Sequence, residues 1–448
     1  MLPNRIFTGI AFISLLLSSA GAVNGASLSE VYQLALENDP EIASAEATFK
    51  AGDTIRGQAL AELLPSLTAS YSWSDQESTI DPSIFGGGGS SSEDRFTTES
   101  YNVRLNQNLF NLQALFGYRQ ALSTADQALL TYAAAQQDLI LRTAVAYFDV
   151  LRGEDNLTSV LAEERAIGRQ LEQTQQRYEV GLIAITDVHE AQAAYDLIIA
   201  EKLSLESALG IAQESLAQIT GEYMKDLSRL AEDYQALPPE PADVTTWVSY
   251  AEENNLNIQL AKQRLAASKE NANVKTSAFA PTVSGFADYT NSKNGQFAGN
   301  DNETDSYGIN VNWELFRGGA KWAERKQAGY EKVAAQSDLV AAKRQVLRDT
   351  RSAYLETNTA AARVKARGRA IISSQSALDA TQAGYDAGTR NIVDLLNAQQ
   401  VLYGAQRDYA NSRYDYIINS LRLKQAAGTI TAKDLESIPL EAAAATEE

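Results

Sequence analysis

The chain has 448 residues, 57 acidic against 38 basic side chains, no cysteine and one histidine, for a formal net charge of −19. Disulfides, thiolate nucleophiles and cysteine-based zinc or iron–sulfur sites are excluded, and a single imidazole leaves no His-rich metal site and no relay. The acidic balance also argues against a nucleic-acid partner, since no basic stripe is present to meet phosphates.

In chain order, Met1–Ala22 comes first. A basic start at Arg5, an apolar run from Ile6 to Leu17 and the small residues Ala20-Gly21-Ala22 give the order of a secretory signal peptide. Cleavage is expected after Ala22, with Ala26 as the alternative, and no later stretch is apolar enough to span a bilayer as a helix. Helix 28–63 follows. Strands are expected at 66–75 and 101–110, where apolar residues (Leu67, Ala69, Tyr71, Trp73; Tyr101, Val103, Leu105) alternate with Ser, Thr and Asn. The Gly- and Ser-rich stretch between them reads as a polar loop. Its Gly86–Gly89 run is no phosphate cradle, because it opens no helix and lacks a following Lys-Ser/Thr.

A long helix is expected over 111–177 and a shorter one over 184–221. In the long one, Leu122, Ala125, Leu129, Tyr132, Gln136, Leu139, Thr143, Ala146 and Val150 form a 3,4-spaced seam. A second seam, Ala133, Gln137, Ile140, Ala144, Tyr147 and Leu151, runs beside it. Two seams imply two neighbours, as in a ring or sheet of helices; an ordinary bundle is the alternative. A linker with Pro238, Pro239 and Pro241 follows, and the element order then recurs: helix 245–278, strands 282–290 and 307–316, long helix 317–384 and helix 391–427. The two long helices would each be about 100 Å long at the α-helical rise. Neither is interrupted by proline, which an interior cannot accommodate.

The recurrence is also visible residue by residue. Tyr178, Gly181, Asp187, Ala191, Gln192 and Gly221 reappear 207 positions later as Tyr385, Gly388, Asp394, Ala398, Gln399 and Gly428. Asn38 and Pro65 reappear 216 positions later as Asn254 and Pro281. The chain therefore divides into a first repeat over 23–240, a second over 241–440 and a short Ala/Glu tail, 441–448, read as disordered.

Four strands of about ten residues, apolar on one face and rich in Tyr and Trp, match outer-membrane barrel strands, although a soluble two-sided sheet gives the same pattern. Four strands cannot close a barrel, and lipid tolerates no open edge. Either the sheet is soluble or several chains share one barrel. No G-x-S-x-G, H-E-x-x-H or Walker pattern occurs, and no acid, base and nucleophile converge, so no enzyme, cofactor or metal site is expected. His189 reads as a solvated helix position.

At Gly181-Leu-Ile-Ala-Ile-Thr-Asp187-Val and Gly388-Thr-Arg-Asn-Ile-Val-Asp394-Leu the sequence resembles the TolC family of outer-membrane export channels, and the resemblance covers essentially the whole mature chain. It implies a mainly α protein with membrane β-structure. The family assembly is a homotrimer whose twelve-stranded outer-membrane barrel continues into a twelve-helix periplasmic α-barrel, girdled by the 224–242 linker and the C-terminal segment. Such a channel is an exit duct for multidrug efflux or type I protein secretion. Its partners would be outer-membrane lipid, a periplasmic adaptor, and an inner-membrane transporter of RND, ABC or MFS type. The resemblance further implies a gate latch of Tyr385 and Arg390 against Thr186 and Asp187. It places Asp394 at a pore constriction, with Asn397 where the family carries a second acidic ring, and adaptor-docking tips at Val180, Gly181, Leu182 and Ala387, Gly388, Thr389. A secreted coiled-coil fibre or surface adhesin is the alternative; it explains the helices but not the banded strands.

Overall fold

The computed structural model describes residues 25–80, 92–224, 226–231, 233–294 and 301–441. The expected signal segment 1–22, the Gly86–Gly89 run and the tail beyond 441 lie outside the described residues. Among the described residues nine helices and six strands follow in the order α1 (Leu28–Asn38), α2 (Pro40–Ala61), β1 (Ser66–Ile80), β2 (Ser92–Phe110), α3 (Leu112–Glu179), α4 (Ile185–Thr220), β3 (Arg229–Leu230), α5 (Val244–Asn254), α6 (Leu256–Ser277), β4 (Thr282–Asn294), β5 (Asp301–Asn312), α7 (Ala320–Asp386), α8 (Ile392–Ala426), α9 (Ala432–Glu436) and β6 (Leu440–Glu441).

Two expectations need correction. Helix 28–63 is broken at Asp39, which closes α1 and caps α2 with its side chain on the Glu41 N–H, while Pro40 takes the first helical position, where its missing N–H costs nothing. Helix 245–278 is broken in the same way at Asn255, whose side chain accepts from the amides of Asn257 and Ile258. The strands also differ from their expected limits. β1, β2 and β4 run longer than 66–75, 101–110 and 282–290, because backbone pairing continues where the apolar alternation stops. β5 spans Asp301–Asn312 rather than 307–316: its ladder ends at the pair Thr282–Asn312, beyond which Pro281 has no N–H to donate.

The helix α3, 68 residues long, is the spine. Both seams close around its midpoint, where Leu139, Thr143, Ala146 and Val150 on one and Ile140, Ala144, Tyr147 and Leu151 on the other are buried; nearer its start, Leu129 is exposed. On one flank α2 covers the upper part of α3, with Phe49 stacked on Tyr132 at 5.6 Å and Arg56 paired with Asp126 at 2.7 Å. The helix α4 covers the lower part, brought close by Gly153 against Leu209 and Gly168 against Tyr195. On the other flank α6 and α8 divide the length in the same way, and α7 packs outside them. Among the described residues, α7 therefore carries an unpartnered side with Trp322, Tyr330, Val333, Val340, Leu355 and Ile372 exposed.

The end-to-end stacking is fixed at two junctions built from the residues that recur in the sequence. Gly221, at the end of α4, abuts Asn38 where α1 meets α2; Gly428, just past α8, abuts Asn254 where α5 meets α6. A hydrogen bond from Asn255 to the Ala426 carbonyl at 2.9 Å fastens the second junction. At mid-height the linker wraps the helices. Tyr147 donates its phenol to the carbonyls of Ser228 (2.6 Å) and Ala26 (3.1 Å), Tyr416 donates to Leu237, Tyr414 donates to Asp155, and β3 pairs with β6.

The four long strands form one antiparallel sheet in the order β1-β2-β4-β5, so β1 and β5 are both unpaired edges. One face exposes Leu67, Tyr71, Trp73, Tyr101, Val103, Leu105, Tyr307, Ile309 and Val311. The other carries polar contacts, among them the Asn102 amide donating to Asp288 and Thr290. No described helix is long and apolar enough to cross a membrane.

Candidate functional site

The helix pairs α3–α4 and α7–α8 end in two turns of the same construction. In the first, Gly181 is left-handed (φ 75°), its N–H donates to the Tyr178 carbonyl (2.8 Å) and the Leu182 N–H donates to Arg177 (2.8 Å). In the second, Gly388 is left-handed (φ 74°), its N–H donates to Tyr385 (3.0 Å) and the Thr389 N–H donates to Gly384 (2.8 Å). Both are Schellman closures, in which the positive φ favours glycine and the last helical carbonyls are satisfied. Neither glycine has a neighbour within 4 Å of where a side chain would start, so these tips are open for a different reason than crowding.

Each turn re-enters a helix, and Asp187 and Asp394 both occupy the third position of the new helix, where a carboxylate meets unpaired amides and the positive end of the dipole. Asn391 caps the second helix by accepting from the Asp394 N–H at 2.8 Å; Ala184, its counterpart, has no side chain to do so. Val180 and Leu182 are 70% and 69% exposed, an apolar pair standing in solvent at the first tip. Ala387 and Thr389 at the second tip are also exposed but smaller.

The expected latch residues are near the tips but are not joined within one chain. Arg390 faces Asp394 across one helical turn at 3.6 Å. Thr186 donates to its neighbour Asp187 at 3.4 Å. Tyr385 is buried, its hydroxyl has no hydrogen-bond partner among the described residues, and the Arg177 guanidinium stands 5.1 Å from its ring centre. Asp394 is half-buried on the first turn of α8, and Asn397, one turn on, lines a cleft of about 690 Å³ between α3, α4 and α8. His189 is exposed on α4.

Sequence reasoning missed what closes that cleft from above. Glu163 of α3 lies buried against Arg407 of α8 at 2.6 Å, with Glu190 and Glu201 of α4 on the cleft wall. Burial pushes the Glu163 carboxyl above its usual range, against the opposing pull of Arg407. No spacing could have found this pair, because its members are 244 residues apart. Among the described residues no group of acidic or His side chains could hold a metal ion.

A wall of long antiparallel helices continuous with a four-stranded sheet that exposes an apolar, Tyr- and Trp-bearing face is the architecture of an outer-membrane channel subunit. The family model described as "Outer membrane efflux protein" matches residues 31–222 and 247–429, and the chain belongs to that family. It is 36% identical to "Outer membrane protein TolC" of Vibrio cholerae, with 95% of this chain and 96% of that protein covered. It is 31% identical to "Alkaline protease secretion protein AprF" of Pseudomonas aeruginosa, with 98% and 92% covered. Among solved structures, the Campylobacter jejuni CmeC outer membrane channel superposes with a TM-score of 0.79 over 95% of this chain and 94% of that one, at 16% identity, a likeness of fold. The protein is an outer-membrane exit duct with a periplasmic extension. The fibre or adhesin reading has no support from these relatives.

Proposed function

We propose that three copies of the chain close one duct, a twelve-stranded barrel in the outer membrane above a twelve-helix periplasmic barrel. The carrying observation is the pair of open sides: β1 and β5 are unpaired edges of a sheet with an exposed apolar face, and α7 leaves an apolar side uncovered. Lipid cannot satisfy edge amides, so the sheet must find strands from other copies. A duct serving multidrug efflux or type I secretion fits relatives whose names describe an efflux family and a protease secretion protein.

In this reading the duct binds no cofactor and performs no reaction. A periplasmic adaptor docks at Val180, Gly181, Leu182, Ala387, Gly388 and Thr389, and an inner-membrane transporter of RND, ABC or MFS type supplies energy. At rest Tyr385 and Arg390 reach Thr186 and Asp187 and hold the tip shut through charge-assisted hydrogen bonds, few enough for a partner to displace. The orphan hydroxyl of Tyr385 and the weak Arg390–Asp394 approach leave both side chains free to take such partners. Three copies of Asp394 form an acidic ring that attracts cations; Asn397 supplies no second ring, so block by trivalent cations is weaker than two rings would give.

The test is purification in detergent followed by planar-bilayer recording. A trimer that conducts, gains conductance in Tyr385→Phe with Arg390→Ser, and loses trivalent-cation block in Asp394→Ala bears the proposal out. A monomer soluble without detergent would end it. Equal block of wild type and Asp394→Ala would remove Asp394 from the constriction.

A further inference from the structure

Glu163 sits about 24 Å from the end of α3 at the helical rise, well above the tip turns. Its side chain is 1% exposed. One carboxylate oxygen accepts from Arg407 at 2.6 Å, while the other is buried with no hydrogen-bond partner. Arg407 comes from α8, the helix whose first turn carries Asp394 and which starts just after Arg390, and α8 packs here on α3 and α4. The groups that face Glu163 are few. Among the described residues Arg407 is the one cation paired with it, Glu190 and Glu201 of α4 share its cleft, and Lys202 is held by Glu164 at 3.0 Å. A buried carboxylate with one unmet oxygen and acidic neighbours gains by reaching water; Arg407 opposes that by charge, and the apolar packing of Ile167, Ile198 and Leu396 opposes it by burial.

We infer that Glu163 and Arg407 set how far α8 stands from α3: the half-satisfied carboxylate favours separation of the two helices, and Arg407 restrains it. This rests on the reading of the tip as a gate, and adds an element to it remote from the latch. Both residues position α8; neither touches cargo.

The pH dependence follows in sign. Burial, the dominant cause, raises the Glu163 pKa despite Arg407, and Glu201 adds to the rise. The packed state therefore keeps a proton up to a higher pH than a separated state in which Glu163 meets water. Acid favours packing, and raising the pH through that elevated value favours separation. A simple attractive ion pair would do the opposite, loosening as its carboxylate is protonated.

The experiment is single-channel recording of the full-length protein in planar bilayers. Arg407→Met leaves Glu163 buried without its cation, and should raise the ratio of open to closed dwell time about tenfold at neutral pH. Adding Glu163→Gln to Arg407→Met removes the charge that drives separation, and should return the ratio to that of wild type. Acidification to about pH 5 should suppress opening in Arg407→Met, and Arg407→Lys should stay closed. A double variant as open as Arg407→Met would reduce the pair to ordinary packing and overturn the inference. Should Arg407→Met fail to assemble, wild type against Glu163→Gln decides: opening that rises from about pH 5 to about pH 7 only in wild type supports the inference, and identical profiles overturn it. Absence of conductance in wild type would instead defeat the duct itself.

Discussion

The two halves of the chain share a backbone plan and differ in what their side chains do with it. Tyr178 and Tyr385 occupy the same position in the same closure, yet Tyr178 is 42% exposed and Tyr385 is 8% exposed, packed with Ile392 and Leu395 and covered by Arg177. Val180 and Leu182 present apolar surface at the first tip where Ala387 and Thr389 present little. The second helix pair is thus tucked against the first, and the first faces outward. Duplication preserved the glycines that closure needs, and left the surrounding side chains free to diverge, as the proposed division into gate and docking surface requires.

The largest expected difference between halves is at the stacked junctions. A side chain at Gly428 would start 2.6 Å from the Asn254 backbone, whereas at Gly221 it would meet the Asn38 side chain at 3.2 Å. Both glycines are left-handed, so both substitutions carry backbone strain, and only the second-half junction adds a clash with atoms that cannot turn aside. Gly428→Ala should cost about 4 kcal/mol and Gly221→Ala about 1 kcal/mol. Thermal unfolding of the detergent-solubilised protein, followed by circular dichroism, measures the gap. Equal losses would mean that the two junctions are packed alike.

Next in size is the tyrosine pair. Tyr385→Ala removes a buried ring and should cost about 3 kcal/mol, while Tyr178→Ala removes an exposed one and should cost about 0.5 kcal/mol. The same melts read both. If Tyr178→Ala proved the more damaging, the outward assignment of the first tip would be reversed.

Much of this was legible in the sequence because it rests on local or recurring signals. Gly181 and Gly388 announce the turns through their recurrence and through the closure that only a left-handed residue completes. The 3,4 seams of α3 announce two neighbours, and Leu67-Ala69-Tyr71-Trp73 announces a strand with one apolar face. The helix breaks at Asp39 and Asn255 had cues in Asn38-Asp39-Pro40 and Asn254-Asn255, but the Ala-rich periodicity on either side outweighs them in a pattern reading. The polar extensions of β1 and β2 were hidden because backbone pairing there needs no apolar alternation. Nothing local could reveal Glu163 with Arg407, Asp155 with Tyr414 or Arg152 with Asp415, since each pair joins α3 to α8 across more than half the chain.

The smallest difference between the halves lies in a single missing cap. The helix α8 begins under Asn391, whose side chain satisfies an amide in its first turn; α4 begins under Ala184, which has no side chain to do so and takes the Asp187 N–H only on its backbone carbonyl, at 3.2 Å. Ala184 already has the extended conformation of a capping residue (φ −81°, ψ 155°), so Ala184→Asn demands no backbone change. It should stabilise the start of α4 by about 1 kcal/mol, seen as a higher melting temperature and slower amide exchange at Asp187 and Val188. The same substitution should leave conductance as it is in wild type, because the proposed latch uses the Thr186 and Asp187 side chains rather than their amides. Faster exchange would show that the first tip is held in some other way, with the alanine kept because a polar cap there competes with a group the tip must bind.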